Sequence, residues 1–571
     1  MAPIIRQFTF LIFVLYSLGQ NPVLAQNFTH LDTLRGSITP ERAWWDLQHY
    51  DLTVTVSLNK RSISGQNTIS YKTIAPYVSN LAQYQNAGPI IDLKTRGGIM
   101  QIDLQAPMKI DSVVQNGLRL DFFNEGPTHF VLLKEPQING KEYSLSCYFS
   151  GAPIEAENPP WDGGFTWEDD ELGRPFIANA NQGIGASVWW PNKDHPSDEP
   201  DRGIDLKINV PQPLVAVGNG RLIKIDSSFS DHRQFHWRVT APINNYGVNI
   251  NIGHYAKFSE QYSGLEGKLD CNYWVLDYNM EQAKAQFSQV PMMLEAFEHW
   301  FGPYPFYNDG YQLVEVPYLG MEHQSSVTYG NGYRNGYRGT DLSGSGWGMT
   351  FDFIIIHESG HEWFANNITN KDVADMWIHE GFTAYSENLF LDYFHGKEAS
   401  SAYVLGTKKR ILNDRPLIGT YNVNHEGSGD MYYKGANILH TLRQLIEDDQ
   451  KWREILIGLN REFRHQTVTT DQVEDYISKA SGIDLTTFWN QYLRTNKIPV
   501  LQYSIKESEI KFKYKDIIDG FDMPVRVKIN DDLVWLYPDN NWKTYKAQNP
   551  VQTFTLDENF LVNQQLENQN R

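Results

Sequence analysis

Phe351-Asp352-Phe353-Ile354-Ile355-Ile356-His357-Glu358-Ser359-Gly360-His361, followed downstream by Trp377-Ile378-His379-Glu380-Gly381-Phe382, is the stretch that decides how this chain is read. Positions i and i+4 of a helix share one face, so His357 and His361 can reach one ion together. Glu358 adjoins the first of them and can hold a water against that ion. The apolar run before His357 gives the helix a face to bury. Two unrelated surface histidines would produce the same short motif, and the second segment separates the readings. Glu380 lies nineteen residues past His361, so a second helix packed antiparallel to the first brings its carboxylate to the same point. Two imidazoles and one carboxylate, with a position left open, are the ligand set of a hydrolytic zinc site. Imidazole pairs suit zinc among the abundant ions, and the expectation is one zinc per chain held by His357, His361 and Glu380.

Outward from this centre the pattern changes character twice. Between residues 43 and 249 it is strand-like. Tyr50-Asp51-Leu52-Thr53-Val54-Thr55-Val56 alternates with period two, and Asn116-Gly117 and Asn139-Gly140 mark turns. Residues 264–494 read as helical, with segments at 280–300 (broken at Pro291), 350–367, 435–447 and 470–480. No proline falls between Tyr318 and Arg415, which leaves room for uninterrupted helices. After Pro499 short alternating runs return, such as Ile510-Lys511-Phe512-Lys513-Tyr514. Asn331-Gly332-Tyr333-Arg334 and its echo Asn335-Gly336-Tyr337-Arg338 form a Gly-rich loop, too short for a repeat architecture.

Bulk properties narrow the field. The chain has 571 residues, enough for about three or four domains, and its 16 Trp, 31 Tyr and 29 Phe fit large packed cores. Net charge is −19 without a Lys/Arg run, which argues against a nucleic-acid partner, since phosphate binding needs a basic face. Residues 1–25 read as a secretory signal: Arg6, then an apolar run over residues 8–18, then Val23-Leu24-Ala25. The run is too short for a membrane anchor, and no later stretch is long and apolar enough to span. The expected destination is secreted or periplasmic. Cys147 and Cys271 are expected as buried thiols rather than a bridge.

The residues also carry a resemblance. His357-Glu358-x-x-His361-x-Trp363-Phe364-x-Asn366-x-x-Thr369, followed by Trp377-x-x-Glu380-Gly381-Phe382, resembles the gluzincin aminopeptidases, relatives of aminopeptidase N and the leukotriene hydrolases. The resemblance implies a multidomain α+β fold: a β domain at 26–263, a mainly helical thermolysin-like catalytic domain at 264–497, and a small β domain at 498–571. Many relatives carry a further large helical domain, and the length after Arg494 implies a short form without it. The resemblance also implies removal of N-terminal residues from peptides, with Glu358 as general base. Pro317-Tyr318-Leu319-Gly320-Met321-Glu322-His323 is similar to the family's Gly-x-Met-Glu-Asn motif, with Leu319 for its Gly and His323 for its Asn. That match makes Glu322 the partner of the substrate's α-amine and puts Tyr318, Gly320 and Met321 beside the substrate. Met431-Tyr432-Tyr433-Lys434-Gly435 is similar to Tyr-x-Lys-Gly, naming Tyr432 as the oxyanion phenol, with Tyr433 one position away. Asn179-Ala180-Asn181-Gln182 resembles the segment that lends a glutamine to amine recognition, here Gln182. The implied partners are peptides with a free N-terminus. Two rivals stay open: an endopeptidase with the same metal site, and a non-catalytic peptide-binding relative. Glu322 discriminates the first; Glu358, the metal ligands and Tyr432 discriminate the second.

Overall fold

The computed structural model describes residues 27–78 and 97–567, so the leader read at 1–25 lies outside the described residues. Strands β1 (Trp45–Ser57) and β2 (Ser62–Thr73) pair antiparallel at the centre of a ten-stranded sheet. The period-two pattern decides their faces: Tyr50, Leu52, Val54 and Val56 are buried while their neighbours are not. A second, four-stranded sheet contributes β3 (Pro175–Ala180), which runs toward Gln182. Strand β4 (Ile204–Pro211) lies parallel to β1 in the large sheet, whose other pairings among the described residues are antiparallel.

The hairpin β5 (Tyr255–Gly264) and β6 (Gly267–Leu276) leads into a five-stranded sheet with β7 (Tyr311–Glu315), β8 (Gly320–Met321) and β9 (Val327–Tyr329). The division read at 263/264 therefore falls at the tip of this hairpin. Both arms hydrogen-bond within the sheet that underlies the helices.

Helices follow: α1 (Met280–Gln286), α2 (Gln289–Phe301), α3 (Phe353–Gly360), α4 (Trp377–His395), α5 (Lys397–Lys408) and α6 (Tyr433–Ile446). The break expected at Pro291 occurs earlier, at Phe287 and Ser288. Pro291 sits in the first turn of α2, where its missing N–H costs nothing. The helix expected over 350–367 is shorter. Asp352 caps it at one end, and beyond Gly360 the chain turns into a tight loop in which Ala365 takes φ 150°.

After the helices, β10 (Val500–Lys506), β11 (Glu509–Lys515) and β12 (Val525–Ile529) belong to two small sheets. Leu501, Ile510 and Val525 join the same apolar core as Ile354, Phe382 and Leu439. The multidomain α+β reading is thus what the structure has. Cys147 and Cys271 are free, buried thiols. Among the described residues no helix is long and apolar enough to cross a membrane.

Candidate metal centre and active site

Helix α3 starts on Asp352, whose carboxylate accepts from Ile354 N and Ile355 N. The same carboxylate accepts from Tyr329 of β9, Asn331 of the Gly-rich loop and Gln286 of α1. This buried node fixes the helix against the sheet. It thereby aims His357 and His361, whose ring centroids lie 5.0 Å apart, toward α4. There Glu380 Oε2 lies 3.7 Å from His357 Nε2 and 3.4 Å from His361 Nε2.

The other nitrogen of each ring is held. His357 Nδ1 is 2.7 Å from Glu387 Oε1, and His361 Nδ1 is 3.0 Å from the Phe364 carbonyl. Both partners only accept, so each Nδ1 carries a proton and each Nε2 is the nitrogen left to face an ion. Glu387 is itself braced by the Tyr403 hydroxyl at 2.6 Å, and Thr383 Oγ1 stands 3.0 Å from His361 Nδ1.

These residues fit a zinc ion. The donor atoms of His357, His361 and Glu380 all lie within 4.8 Å of one another. A tetrahedral ion about 2.0–2.2 Å from each ligand would hold them roughly 3.3–3.6 Å apart, close to the separations found. Glu380 Oε2 is buried with no hydrogen-bond partner, a state that costs stability unless something positive meets it. Burial opposes charge on Glu380, yet His361 and His357 hold its carboxyl well below the usual range. Burial likewise opposes charge on His361, yet Glu380 and Glu322 lift it to about 9. Glu322, Glu358, Glu380 and Glu387 are all buried around two histidines, and a divalent cation balances that excess.

Around this set opens a cavity of about 380 Å3. Glu358 lines it, and burial pushes its carboxyl up to about 7. Glu322 lines it too, with a donor oxygen within 4.8 Å of those of Glu358 and His361. Gln182 Nε2 donates to Glu322 Oε1 at 2.7 Å and to Glu380 Oε1 at 3.1 Å, and the Tyr246 hydroxyl donates to Glu322 Oε1 at 3.2 Å. Gly320 and Met321 also line the cavity.

Tyr318 departs from the expected place beside the substrate. Its ring is buried and its hydroxyl donates to the Asn179 carbonyl at 2.9 Å, so it ties β3 to this motif rather than facing the cavity. His323 is buried beneath the same turn, its Nδ1 3.3 Å from Thr328 Oγ1.

Tyr432 precedes α6 and stacks on His357 with centroids 6.0 Å apart. Burial, then Glu380, Glu322 and Glu358, raise its phenol well above its ordinary value, so it is a hydrogen-bond donor. Tyr433 opens α6, and burial, then Glu387, pushes its phenol up to about 12. Sequence reasoning passed over Glu387, Thr383, Tyr246 and Tyr403. Glu387 had a signal, because it lies two helical turns past Glu380 on the same face of α4. Tyr246 had none, since it reaches Glu322 from the β-rich unit.

The pattern of the peptidase family M1 domain matches residues 286–492. The chain is 22% identical over 430 residues to endoplasmic reticulum aminopeptidase 1 of Mus musculus, covering 72% of this chain and 44% of that protein. It is 24% identical over 430 residues to leukotriene A-4 hydrolase of Xenopus laevis, covering 66% of each. The chain thus spans between about half and two thirds of these relatives' length. Among solved structures, the M1 zinc metallopeptidase of Deinococcus radiodurans superposes with a TM-score of 0.63 at 20% identity, covering 77% of this chain and 91% of that one. A variant of it bound to a Tyr-Ser-Ala substrate gives a TM-score of 0.65. Residues 286–492 of the protein therefore carry a peptidase family M1 domain.

Proposed function

We propose that this protein is a zinc aminopeptidase that removes the first residue of peptides. The observation that carries this reading is Glu322: a buried carboxylate, held by Gln182 and Tyr246, beside Glu358 and His361 at one end of the cavity. Burial raises the Glu322 carboxyl above its ordinary range, and a protonated α-amine entering there stabilises its charged form. The distance from that charge to the metal donors then selects the first peptide bond. His357, His361 and Glu380 would hold one zinc, which when bound polarises the scissile carbonyl and lowers the pKa of water.

The chain's own residues do the rest. Glu358, with its carboxyl raised to about 7, accepts the proton of the attacking water and passes it to the leaving amine. Tyr432 donates its phenolic hydrogen to the carbonyl oxygen as negative charge develops there. Gln182 orients Glu322 and Glu380 together, which couples amine recognition to the metal centre. Export through the leader at residues 1–25 is part of the proposal. Finding the mature N-terminus near residue 26 outside the cytoplasm checks it, and an intact leader on cytoplasmic protein contradicts it.

The test of the mechanism is Glu358→Gln. It should keep one zinc per chain and lose about 10²–10⁴-fold in turnover, since the carboxylate is a base and not a ligand. Metal analysis and steady-state kinetics on one preparation decide it. Near-native turnover of the zinc-replete variant would assign the proton transfer elsewhere.

A further inference from the structure

We infer that Arg410 binds the C-terminal carboxylate of the substrate and so directs this enzyme to short peptides, about three to four residues long. The inference rests on the aminopeptidase reading, which fixes the substrate's amine at Glu322. Phe353, His357 and His361 recur at four-residue intervals and form one stripe along α3. The ring of Phe353 stacks on His357 at 5.0 Å, and His357 meets His361 at 5.0 Å. Glu322 stands at the His361 end of this stripe. The residues after the scissile bond therefore extend toward Phe353.

A helix rises about 1.5 Å per residue, so the stripe is roughly 12 Å long. An extended peptide covers about 3.3–3.6 Å per residue, which makes that length three to four residues. The far end of the cavity is walled by Tyr337, whose ring lies 5.4 Å from that of Phe353, and by Leu342, Tyr433 and Arg410.

Arg410 follows α5 and is exposed. Its Nε donates to the Leu342 carbonyl at 2.6 Å, which fixes the guanidinium plane. Among the described residues, neither Nη has a hydrogen-bond partner and no carboxylate lies within 4.0 Å of either. Two parallel N–H groups on a tethered guanidinium are the geometry that grips a carboxylate bidentately. Arg410 is also the one Lys or Arg among the described residues lining the cavity, which otherwise presents Glu322, Glu358, Glu380 and Glu387. In a chain of net charge −19, an anionic substrate terminus is repelled elsewhere and attracted at this place.

The experiment compares kcat/KM for a tripeptide with a free C-terminus and for its C-terminal amide. A second pair of amidated tripeptides carries Glu or Gln at the second position. Native enzyme should prefer the free acid by about tenfold or more, mainly through KM, as expected for one charge-assisted pair. Arg410→Ala should bring the acid-to-amide ratio close to one, and Arg410→Lys should restore part of it.

Equal rates on acid and amide by the native enzyme overturn the inference without involving any variant. So does an acid preference that survives in Arg410→Ala. A preference that follows the Glu side chain rather than the terminus also overturns it, by moving the carboxylate to another source. Failure of the underlying aminopeptidase reading looks different: native enzyme with zinc bound would cleave none of these peptides at the first bond.

Discussion

Glu387 is not among the residues that would hold the zinc, yet it decides which nitrogen of His357 is left to face it, through a 2.7 Å contact to Nδ1. Removing that acceptor frees the imidazole to rotate or to change tautomer. Glu387→Ala is expected to weaken zinc binding by about 10–100-fold, read by competition with a chelator. Native affinity in that variant would show that packing from Phe353 alone orients the ring. The residues legible in the sequence were those whose roles follow from helical spacing, namely His357, Glu358 and His361, together with Glu380 at the distance a returning helix requires. Glu387 obeys the same periodicity, two turns past Glu380, and could have been read from it. Gln182 was reachable only by resemblance and Tyr246 not at all, because both act across the seam between the β-rich unit and the helices. Tyr318 was expected beside the substrate because it adjoins the motif. The bend between β7 and β8 turns it the other way, onto Asn179.

At the scale of elements, the crossing of α4 and α6 sets the site's second wall. A Cβ at Gly435 would come within 2.7 Å of Gly381 Cα, and one at Gly381 within 3.2 Å of Gly435 Cα. These two glycines let the backbones touch, which brings Tyr432, just ahead of α6, over His357. Gly435→Ala must push α6 outward, at an expected cost of about 1–3 kcal/mol. It should also lower kcat with zinc retained, since the three ligands sit on α3 and α4. Unchanged kcat at lowered thermal stability would mean that Tyr432 does not depend on this crossing. Helix existence was readable from periodicity and from the lack of proline between Tyr318 and Arg415, whereas helix ends were not. Asp352 as a cap and the turn after Gly360 cut the predicted 350–367 helix to Phe353–Gly360.

Over the whole molecule, buried acids join the units as well as forming the site. Glu199 packs against the M1 domain, with Oε1 2.6 Å from Thr369 Oγ1, and that hydroxyl is also 2.6 Å from the Ala365 carbonyl. One hydroxyl hydrogen cannot serve both acceptors. A protonated Glu199 donates to Thr369, which donates on to Ala365. Burial accordingly raises Glu199 from 4.5 to about 8. The folded chain keeps this proton where the unfolded chain has lost it. The contribution to stability is therefore full below pH 4.5 and is lost as pH rises through about 8. Glu199→Gln, which stays neutral, should lose less Tm than the native protein between pH 5 and 8; parallel curves would contradict the assignment. The succession of β-rich, helical and again β-rich stretches was legible because period-two and helical patterns alternate along the chain. The seam was not, since the β5–β6 hairpin looks like the strands before it yet belongs to the sheet beneath the helices. The central claim is that Glu322 makes this zinc site count from the amine end. The measurement that tests it most directly is kcat/KM for one peptide, free and N-acetylated, on native protein and on Glu322→Ala of matched Tm. The account predicts that native enzyme strongly prefers the free peptide and that the variant loses this preference, with the acetylated rate little changed. Internal cleavage of the acetylated peptide by native enzyme, as fast as trimming of the free one, would contradict it.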